Sequence, residues 1–178
     1  MAQPISQEDN LILQSYCTVM LMNALAAGNN LLESDYYKTL NIEPPIRQMI
    51  DEIKVGNRGA LLMFLYAMLV IPRELLSAKY QAEYNEIDLR LVSLTQSTNT
   101  TYDESPVQYV RHIRNAVAHA RVTFSPPPDD SVTFEDKDRG GHTFATTMPL
   151  RHVGLLLDDL QQVHRKWVND CRSKWPTR

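Results

Sequence analysis

The chain has 178 residues, of which 43% are hydrophobic and 22% charged, and its formal net charge is -3. This length and balance are typical of one globular domain, and the negative charge excludes a surface that is basic throughout for nucleic-acid binding. The longest apolar run, residues 60–71, is shorter than the ~18 residues of a membrane span, and the polar residues 1–10 do not resemble a targeting segment. We therefore expect a cytoplasmic protein without a membrane partner.

In the first half of the chain, hydrophobic residues recur at intervals of three and four, which predicts helices. The predicted helices cover residues 6–28, 31–41, 46–55, 59–80 and 84–94. Residues 28–30, Gly-Asn-Asn, are expected to end the first helix, and Pro72 should kink or divide the fourth. Residues 95–102 are rich in Ser, Thr and Asn, which predicts a loop.

The second half of the chain predicts a short helix, a β-hairpin and a long amphipathic helix. The short helix should start near Pro106 and end near His119, because residues 122–124 favour a strand and three prolines follow. The hairpin is expected over residues 132–144, and the last helix should open at Pro149. We therefore predict an all-α helical bundle with a short β-hairpin before the C-terminal helix.

Metal and cofactor motifs are missing from the sequence. No spacing of Cys and His resembles a zinc site, and His142 and His152 are too isolated to form a metal pair. There is no glycine-rich phosphate loop, nucleophile elbow or dinucleotide fingerprint. We expect a protein that works without a metal ion and without a cofactor.

The most distinctive segment is residues 110–121, which contain three arginines, two histidines and an asparagine. No Asp or Glu occurs between residues 105 and 128, although the chain as a whole is acidic. Arg is a permanent, forked cation that matches phosphate oxygens, and His moves protons near neutral pH. This combination predicts a site that handles a phosphodiester.

Helical geometry groups the polar residues of this segment. Arg111, Asn115 and His119 share one stripe, because positions four apart lie on the same face. His112 falls close to that stripe and Arg114 lies on its flank. The residues expected to pack inward are Ile113, Ala116, Val117 and Ala120. The alternative is a half-buried helix whose polar face is only solvated, and the lack of nearby acids favours a functional site.

The run Arg114-Asn115-x-x-x-His119 resembles the R-N-x-x-x-H signature of the HEPN superfamily, and within it the plasmid- and phage-associated members. These are all-helical domains, many of them metal-independent endoribonucleases of toxin–antitoxin and anti-phage systems. The resemblance covers roughly residues 10–172 and implies a single HEPN-like domain over residues 1–178, with a β-hairpin insertion at about 121–147. Many members carry Gly directly after the motif His, where this chain has Ala120.

The resemblance implies cleavage of RNA by attack of the 2′-hydroxyl on the adjacent phosphorus. His119 would act as general acid or base, Arg114 would hold the scissile phosphate, and Asn115 would orient His119 or bind the phosphate. The flanking candidates are Arg111 and Arg121, which would follow the RNA backbone, and His112, a second proton donor. In the family the motif helices of two protomers face each other, which implies a homodimer with a composite site. DNA lacks the 2′-hydroxyl and should not be cleaved.

Two other interpretations stay open. A catalytically silent HEPN domain would use the same fold as a dimeric RNA-binding or protein-interaction module, for example toward an antitoxin protein. The intact Arg114, Asn115 and His119 argue against that interpretation. A plain helical scaffold would instead pair its cations with acids elsewhere. It predicts buried ion pairs at Arg111 and Arg114 and no phosphate-sized cleft. The acids available for such pairs are Asp103, Glu104, Asp129 and Asp130.

Overall fold

The computed structural model describes residues 6–27 and 31–172 of the chain. The helices within these ranges are α1 (Gln7–Ala27), α2 (Asp35–Thr39), α3 (Pro44–Ile53), α4 (Arg58–Leu65), α5 (Arg73–Lys79), α6 (Gln81–Leu94), α7 (Tyr109–Ala118) and α8 (Leu150–Arg172). The expected end of the first helix at residues 28–30 lies outside the described residues. Each predicted helix has a counterpart, and the bounds differ by a few residues because helix ends depend on caps and tertiary contacts.

The division of the fourth predicted helix at Pro72 is confirmed. After α4 the chain continues as a π-helical segment, Tyr66–Val70, turns at residues 71–72 and resumes as α5. Pro72 has no backbone N–H to offer the carbonyl of Met68 four residues earlier. The imidazole Nε2 of His164, a buried residue of α8, lies 3.0 Å from that carbonyl oxygen. A side chain from α8 therefore binds the carbonyl that the break leaves without its helical partner.

The all-α prediction is wrong, because a four-stranded antiparallel sheet is present within the described residues. Its strands are β1 (Ser97–Thr100), β2 (Val122–Phe124), β3 (Ser131–Lys137) and β4 (Thr143–Pro149), in the order β1-β4-β3-β2. The hairpin of β3 and β4 and the strand at residues 122–124 are as predicted, and the fold is a helix-dominated mixture of α and β.

Strand β1 lies where the sequence predicts a loop. Its backbone pairs with β4, with Thr98 opposite Thr146, and the hydroxyl groups of these two residues are 2.9 Å apart. The strand is polar and mostly exposed, so it lacks the apolar alternation by which strands are recognised. Backbone pairing with a partner almost fifty residues away forms β1, which local sequence does not reveal.

The core lies between the sheet and the helices α4, α6, α7 and α8. Its largest fully buried hydrophobic side chains are Leu65, Met68, Leu76, Leu91, Ile113, Phe134, Phe144, Met148, Leu156 and Leu160. On α7 the predicted inward residues Ile113, Ala116 and Val117 are buried, whereas Ala120 is exposed. The helix ends at Ala118, so Ala120 no longer follows the helical register.

Among the described helices, one bent pair has the length and apolar composition of a membrane span. Within the described residues no single helix is both long and apolar enough to cross a membrane. The helices Pro44–Ile53 and Arg58–Val70 reach the required length and hydropathy only when taken together, and they meet at an angle of 86°.

Candidate functional site

Helix α7 carries the motif and packs against β3, against α6, and against α4 with its π-helical extension. Two carboxylates from outside the helix accept hydrogen bonds from the backbone N–H groups at its N-terminus. The N–H of Val110 donates to Oδ1 of Asp88 at 2.7 Å, and the N–H of Gln108 donates to Oε2 of Glu104 at 3.3 Å. Negative groups at a helix N-terminus are favoured by the unsatisfied amides and the helix dipole. The acids that the motif segment lacks are thus supplied by neighbouring elements.

His112 is completely buried, and it does not lie on the exposed polar stripe. Its Nδ1 is 2.8 Å from Oδ2 of Asp136, and its Nε2 is 3.2 Å from Oε2 of Glu104. Its ring stacks on Phe144 with a centroid distance of 4.4 Å, and Tyr102 contacts it at 4.6 Å. In this position His112 links the buried carboxylate of Asp136 to the partly buried carboxylate of Glu104, and it is out of reach of an RNA on the surface.

Asp136 also holds the motif asparagine. The amide Nδ2 of Asn115 donates to the same Oδ2 of Asp136 at 2.9 Å, and its Oδ1 accepts from Nε and Nη2 of Arg114 at 3.3 and 3.1 Å. Burial acts to raise the pKa of Asp136, but the hydrogen bonds from Asn115 and His112 outweigh it and lower that pKa. An ionised, buried carboxylate therefore fixes Asn115, and Asn115 fixes the guanidinium of Arg114.

Arg111 is paired with an acid at the other end of this network. Its Nη1 is 3.0 Å from Oε1 of Glu104, and its guanidinium lies over the ring of Tyr102. The contacts form one chain: Arg111, Glu104, His112, Asp136, Asn115 and Arg114. We call these six residues the anchor network.

The scaffold interpretation is met only in part. The ion pair of Arg111 with Glu104 forms at the surface, where the arginine side chain is 41% exposed. In the part of the chain that the structure describes, no carboxylate lies within ion-pair distance of Arg114, and Asp130 pairs with Arg58 instead. A groove beside Arg114 contradicts the expected lack of a cleft.

The C-terminal end of α7 is open. His119 is the last, capping residue of the helix, and its exposed side chain makes no hydrogen bond with any described residue. Ala120 follows with a φ of 53°, in the left-handed region that favours glycine. The N–H groups of Ala120 and Arg121 donate to the carbonyls of Val117 and Ala116 at 3.2 and 2.8 Å. This is a Schellman ending, with alanine where glycine is usual.

Arg121 is exposed beside this ending, and its Nη1 donates to the carbonyl of Lys137 at 3.1 Å. The structure therefore divides the candidate site residues into two groups. Arg111, His112, Arg114 and Asn115 are joined through the anchor network. His119 and Arg121 stand at the exposed end of the helix, which we call the open end.

Cavities lie on two sides of α7 among the described residues. The larger, of ≈ 830 Å³, runs along the N-terminal half of the helix and is lined by Arg111 and Arg114 together with residues of α6; we call it the α6–α7 groove. The smaller, of ≈ 290 Å³, is mainly apolar and lies at the open end. It is lined by Leu62, Met63, Tyr66, Val117, Ala120 and Val122.

Metal ligands are not grouped in the part of the chain described, residues 6–27 and 31–172, where no cluster of three His, Cys, Asp or Glu is arranged to hold an ion. The two isolated histidines have other contacts. Nδ1 of His142 is 2.9 Å from Oδ2 of Asp138 at the hairpin tip, and Nδ1 of His152 is 2.7 Å from the carbonyl oxygen of Leu94.

Sequence reasoning missed Asp136, the acid of β3 that binds His112 and Asn115. A signal for Asp136 exists, because Val132, Phe134 and Asp136 occupy alternate positions of one strand and therefore face the same side. An acid on the buried face of a strand requires a partner. Glu104 was one of the acids that the scaffold interpretation named, and it pairs with Arg111 and lies against His112.

A helix carrying R-N-x-x-x-H, packed within a helical domain, defines the HEPN class of protein. Over residues 5–170 the chain matches the family described as HEPN pEK499 p136, and it belongs to that family. No curated protein and no solved structure matches the chain. Membership suggests a nuclease-related, RNA-related or defence-type role, and HEPN domains are typically dimeric.

Proposed function

We propose that the protein is a metal-independent endoribonuclease that cleaves RNA by 2′-hydroxyl attack, in a cytoplasmic toxin–antitoxin or anti-phage role. The observation that carries the proposal is the contrast within the motif. The guanidinium of Arg114 is held through Asn115 by the buried carboxylate of Asp136, whereas the exposed side chain of His119 has no hydrogen-bond partner among the described residues. A fixed cation that binds the phosphate and an available imidazole that transfers a proton are two of the groups that phosphodiester cleavage uses.

The proposal gives each motif residue a role that fits its chemistry and its position. His119 removes the proton of the 2′-hydroxyl or protonates the leaving 5′-oxygen, because imidazole exchanges protons near neutral pH. Arg114 binds the scissile phosphate and stabilises the charge that develops on its oxygens. Asn115 orients Arg114, the residue with which its amide oxygen makes hydrogen bonds.

A homodimer would complete the site. Cleavage with acid and base acting together needs two proton-transfer groups, and the open end of α7 offers one imidazole, that of His119. The apolar cavity beside it has exposed walls, with Met63 at 68% and Tyr66 at 47% exposure. A second copy covering this surface would bring its own His119 close. An antitoxin protein is a further proposed partner.

The decisive experiment incubates a mixed single-stranded RNA with the protein in EDTA. We expect wild type to leave 2′,3′-cyclic phosphate ends, and His119→Ala to lose at least about a hundredfold in rate. His142→Ala is the matched control, because His142 is an exposed histidine at the hairpin tip, and it should cleave like wild type. A DNA strand of the same sequence should stay intact.

A catalytically silent, dimeric RNA-binding or protein-interaction module is the second candidate. It is favoured by the weak basicity of the motif face, because Glu104 pairs with Arg111 and the whole chain carries a net charge of -3. This candidate predicts a folded dimer that leaves RNA intact under the conditions above. Absence of cleavage by such a dimer would replace the ribonuclease proposal with this one.

A further inference from the structure

The α6–α7 groove is large enough for a nucleotide. Its volume of ≈ 830 Å³ lies within the range of roughly 300–1,000 Å³ that small-molecule sites occupy. Its walls combine apolar and amide side chains with a few charges, which is the usual composition of such sites. The apolar walls are Leu69, Leu89, Pro106 and Val110, and the amide side chains are Gln81, Asn85 and Gln108.

The charges in this groove are of both signs. Arg114 and Tyr84 both line the groove. Burial raises the pKa of the Tyr84 hydroxyl, and the positive charge of Arg114 acts against that rise. Asp88, Asp103 and Glu104 also line the groove. An RNA backbone running along it would bring phosphates close to these three carboxylates. A single phosphate on Arg114, with its neutral base in the groove, avoids that repulsion.

Asp88 has acceptor capacity left for a ligand. Its Oδ1 accepts the backbone N–H of Val110 at 2.7 Å, and its Oδ2 makes no hydrogen bond with the described residues. Burial raises the pKa of Asp88 to about 6, so the group is ionised and purely an acceptor at pH 8. A half-buried acceptor of this kind selects a ligand that offers an N–H donor.

We propose that the α6–α7 groove is a base-binding subsite, in which Arg114 holds the 3′-phosphate of a nucleotide and Asp88 accepts a hydrogen bond from the exocyclic amino group of its base. The subsite deepens the proposed ribonuclease function, because it selects the nucleotide next to the scissile phosphate. Cytosine offers an amino group where uracil offers a carbonyl oxygen, and carboxylates in proteins accept from that amino group. Cytidine is therefore preferred to uridine.

The test is a calorimetric titration at pH 8 with cytidine and uridine 3′-monophosphates, two probes of nearly equal size and charge. We expect wild type to bind the cytidine probe about tenfold more tightly, the factor that one lost base-edge contact typically produces. These probes have no scissile bond, so the measurement is independent of cleavage. Equal affinity for the two probes, or no binding of either, would overturn the subsite.

Asp88→Asn is the sharpest variant. The asparagine Oδ1 can still accept the N–H of Val110, while its amide now presents a donor where the carboxylate presented an acceptor. The preference should move toward uridine. Glu86→Gln is the matched control, an acid-to-amide change on an exposed residue of α6 outside the groove lining, and it should keep the cytidine preference. Identical behaviour of the two variants would contradict the role of Asp88.

Failure of the subsite is distinguishable from failure of the ribonuclease. Cleavage of RNA without any base preference, together with equal binding of the probes, would leave the ribonuclease standing and overturn the subsite. A cytidine preference in a protein that leaves RNA intact would support the subsite and reject the ribonuclease. If Asp88→Asn fails to fold, the wild-type comparison of the two probes still decides.

Discussion

The two ends of α7 differ in how their polar side chains are held. Toward the N-terminus, His112 and Asn115 are tied to a buried carboxylate on β3, and Arg111 is tied to Glu104. Toward the C-terminus, His119 has no hydrogen-bonded side-chain partner among the described residues. One helix thus combines an ordered half with an accessible one.

The difference shows what each half contributes to a site. Hydrogen-bonded polar groups in the interior are costly to disturb, so the anchor network holds Arg114 in one orientation before any ligand arrives. An exposed imidazole costs little to leave free and remains available to a substrate or to a second protomer. We expect loss of the buried carboxylate of the anchor network to alter stability, and loss of the exposed His119 side chain to alter activity alone.

The largest expected effect is the separation of activity from stability at His119. We expect His119→Ala to reduce the cleavage rate by roughly a hundredfold to ten-thousandfold. The same variant should change the free energy of unfolding by less than about 0.5 kcal/mol, because the side chain is exposed. Urea denaturation of the variant checks the second value. A marked loss of stability would show that the open end is structural after all.

The anchor network should give the opposite result. Asp136→Ala leaves His112 and Asn115 without their shared acceptor in the interior, and we expect a loss of about 3 kcal/mol in the free energy of unfolding. Asp138→Ala, two residues along at the exposed hairpin tip, is the matched control and should cost under about 0.5 kcal/mol. Equal urea midpoints for the two variants would contradict the network.

The stability that Asp136 contributes should depend on pH, which sharpens the comparison between the anchor network and the open end. The pKa of Asp136 is lowered in the folded protein, so the unfolded chain binds its proton more readily. Its stabilisation is therefore present above the ordinary carboxyl pKa of ~3.9 and is lost as the pH falls through the folded value. The gap in unfolding free energy between wild type and Asp136→Ala should shrink below about pH 4. A gap that stays constant down to pH 2.5 would show that ionisation of Asp136 is irrelevant.

The smallest expected effect concerns the residue after His119. Ala120 adopts a φ of 53°, which costs an alanine about 1 kcal/mol relative to a residue without a Cβ. We expect Ala120→Gly to raise the free energy of unfolding by roughly 0.5 kcal/mol. Ala118→Gly, within the last helical turn, should lower it by a similar amount. Destabilisation by both substitutions would argue against a left-handed backbone at Ala120.

The sequence was informative where structure depends on nearby residues. The spacing of Ile113, Ala116 and Val117 gives the buried face of α7, and the absence of an N–H on Pro72 gives the helix break. The hairpin of β3 and β4 follows from turn residues between two short segments that favour strands. Each of these features depends on residues that are close to one another in the sequence.

Features that depend on distant pairing were not accessible in the same way. Strand β1 is polar and forms through β4, and the acids that bind His112 come from a loop and from β3. For that reason His112 was expected on the surface and is found in the interior. The lack of acids near the motif in sequence does not mean that acids are missing in space.

The burial of His164 against the Met68 carbonyl affects how the whole domain tolerates acid. Burial lowers the pKa of His164 to about 4, while the unfolded chain takes up the same proton near pH 6.5. As the pH falls from about 6.5 toward 4, protonation favours the unfolded state by up to about 3 kcal/mol. The hydrogen bond to the Met68 carbonyl acts in the opposite direction and limits this loss. Burial of one imidazole in the core therefore makes the fold sensitive to mild acidification, far from the residues that carry the motif.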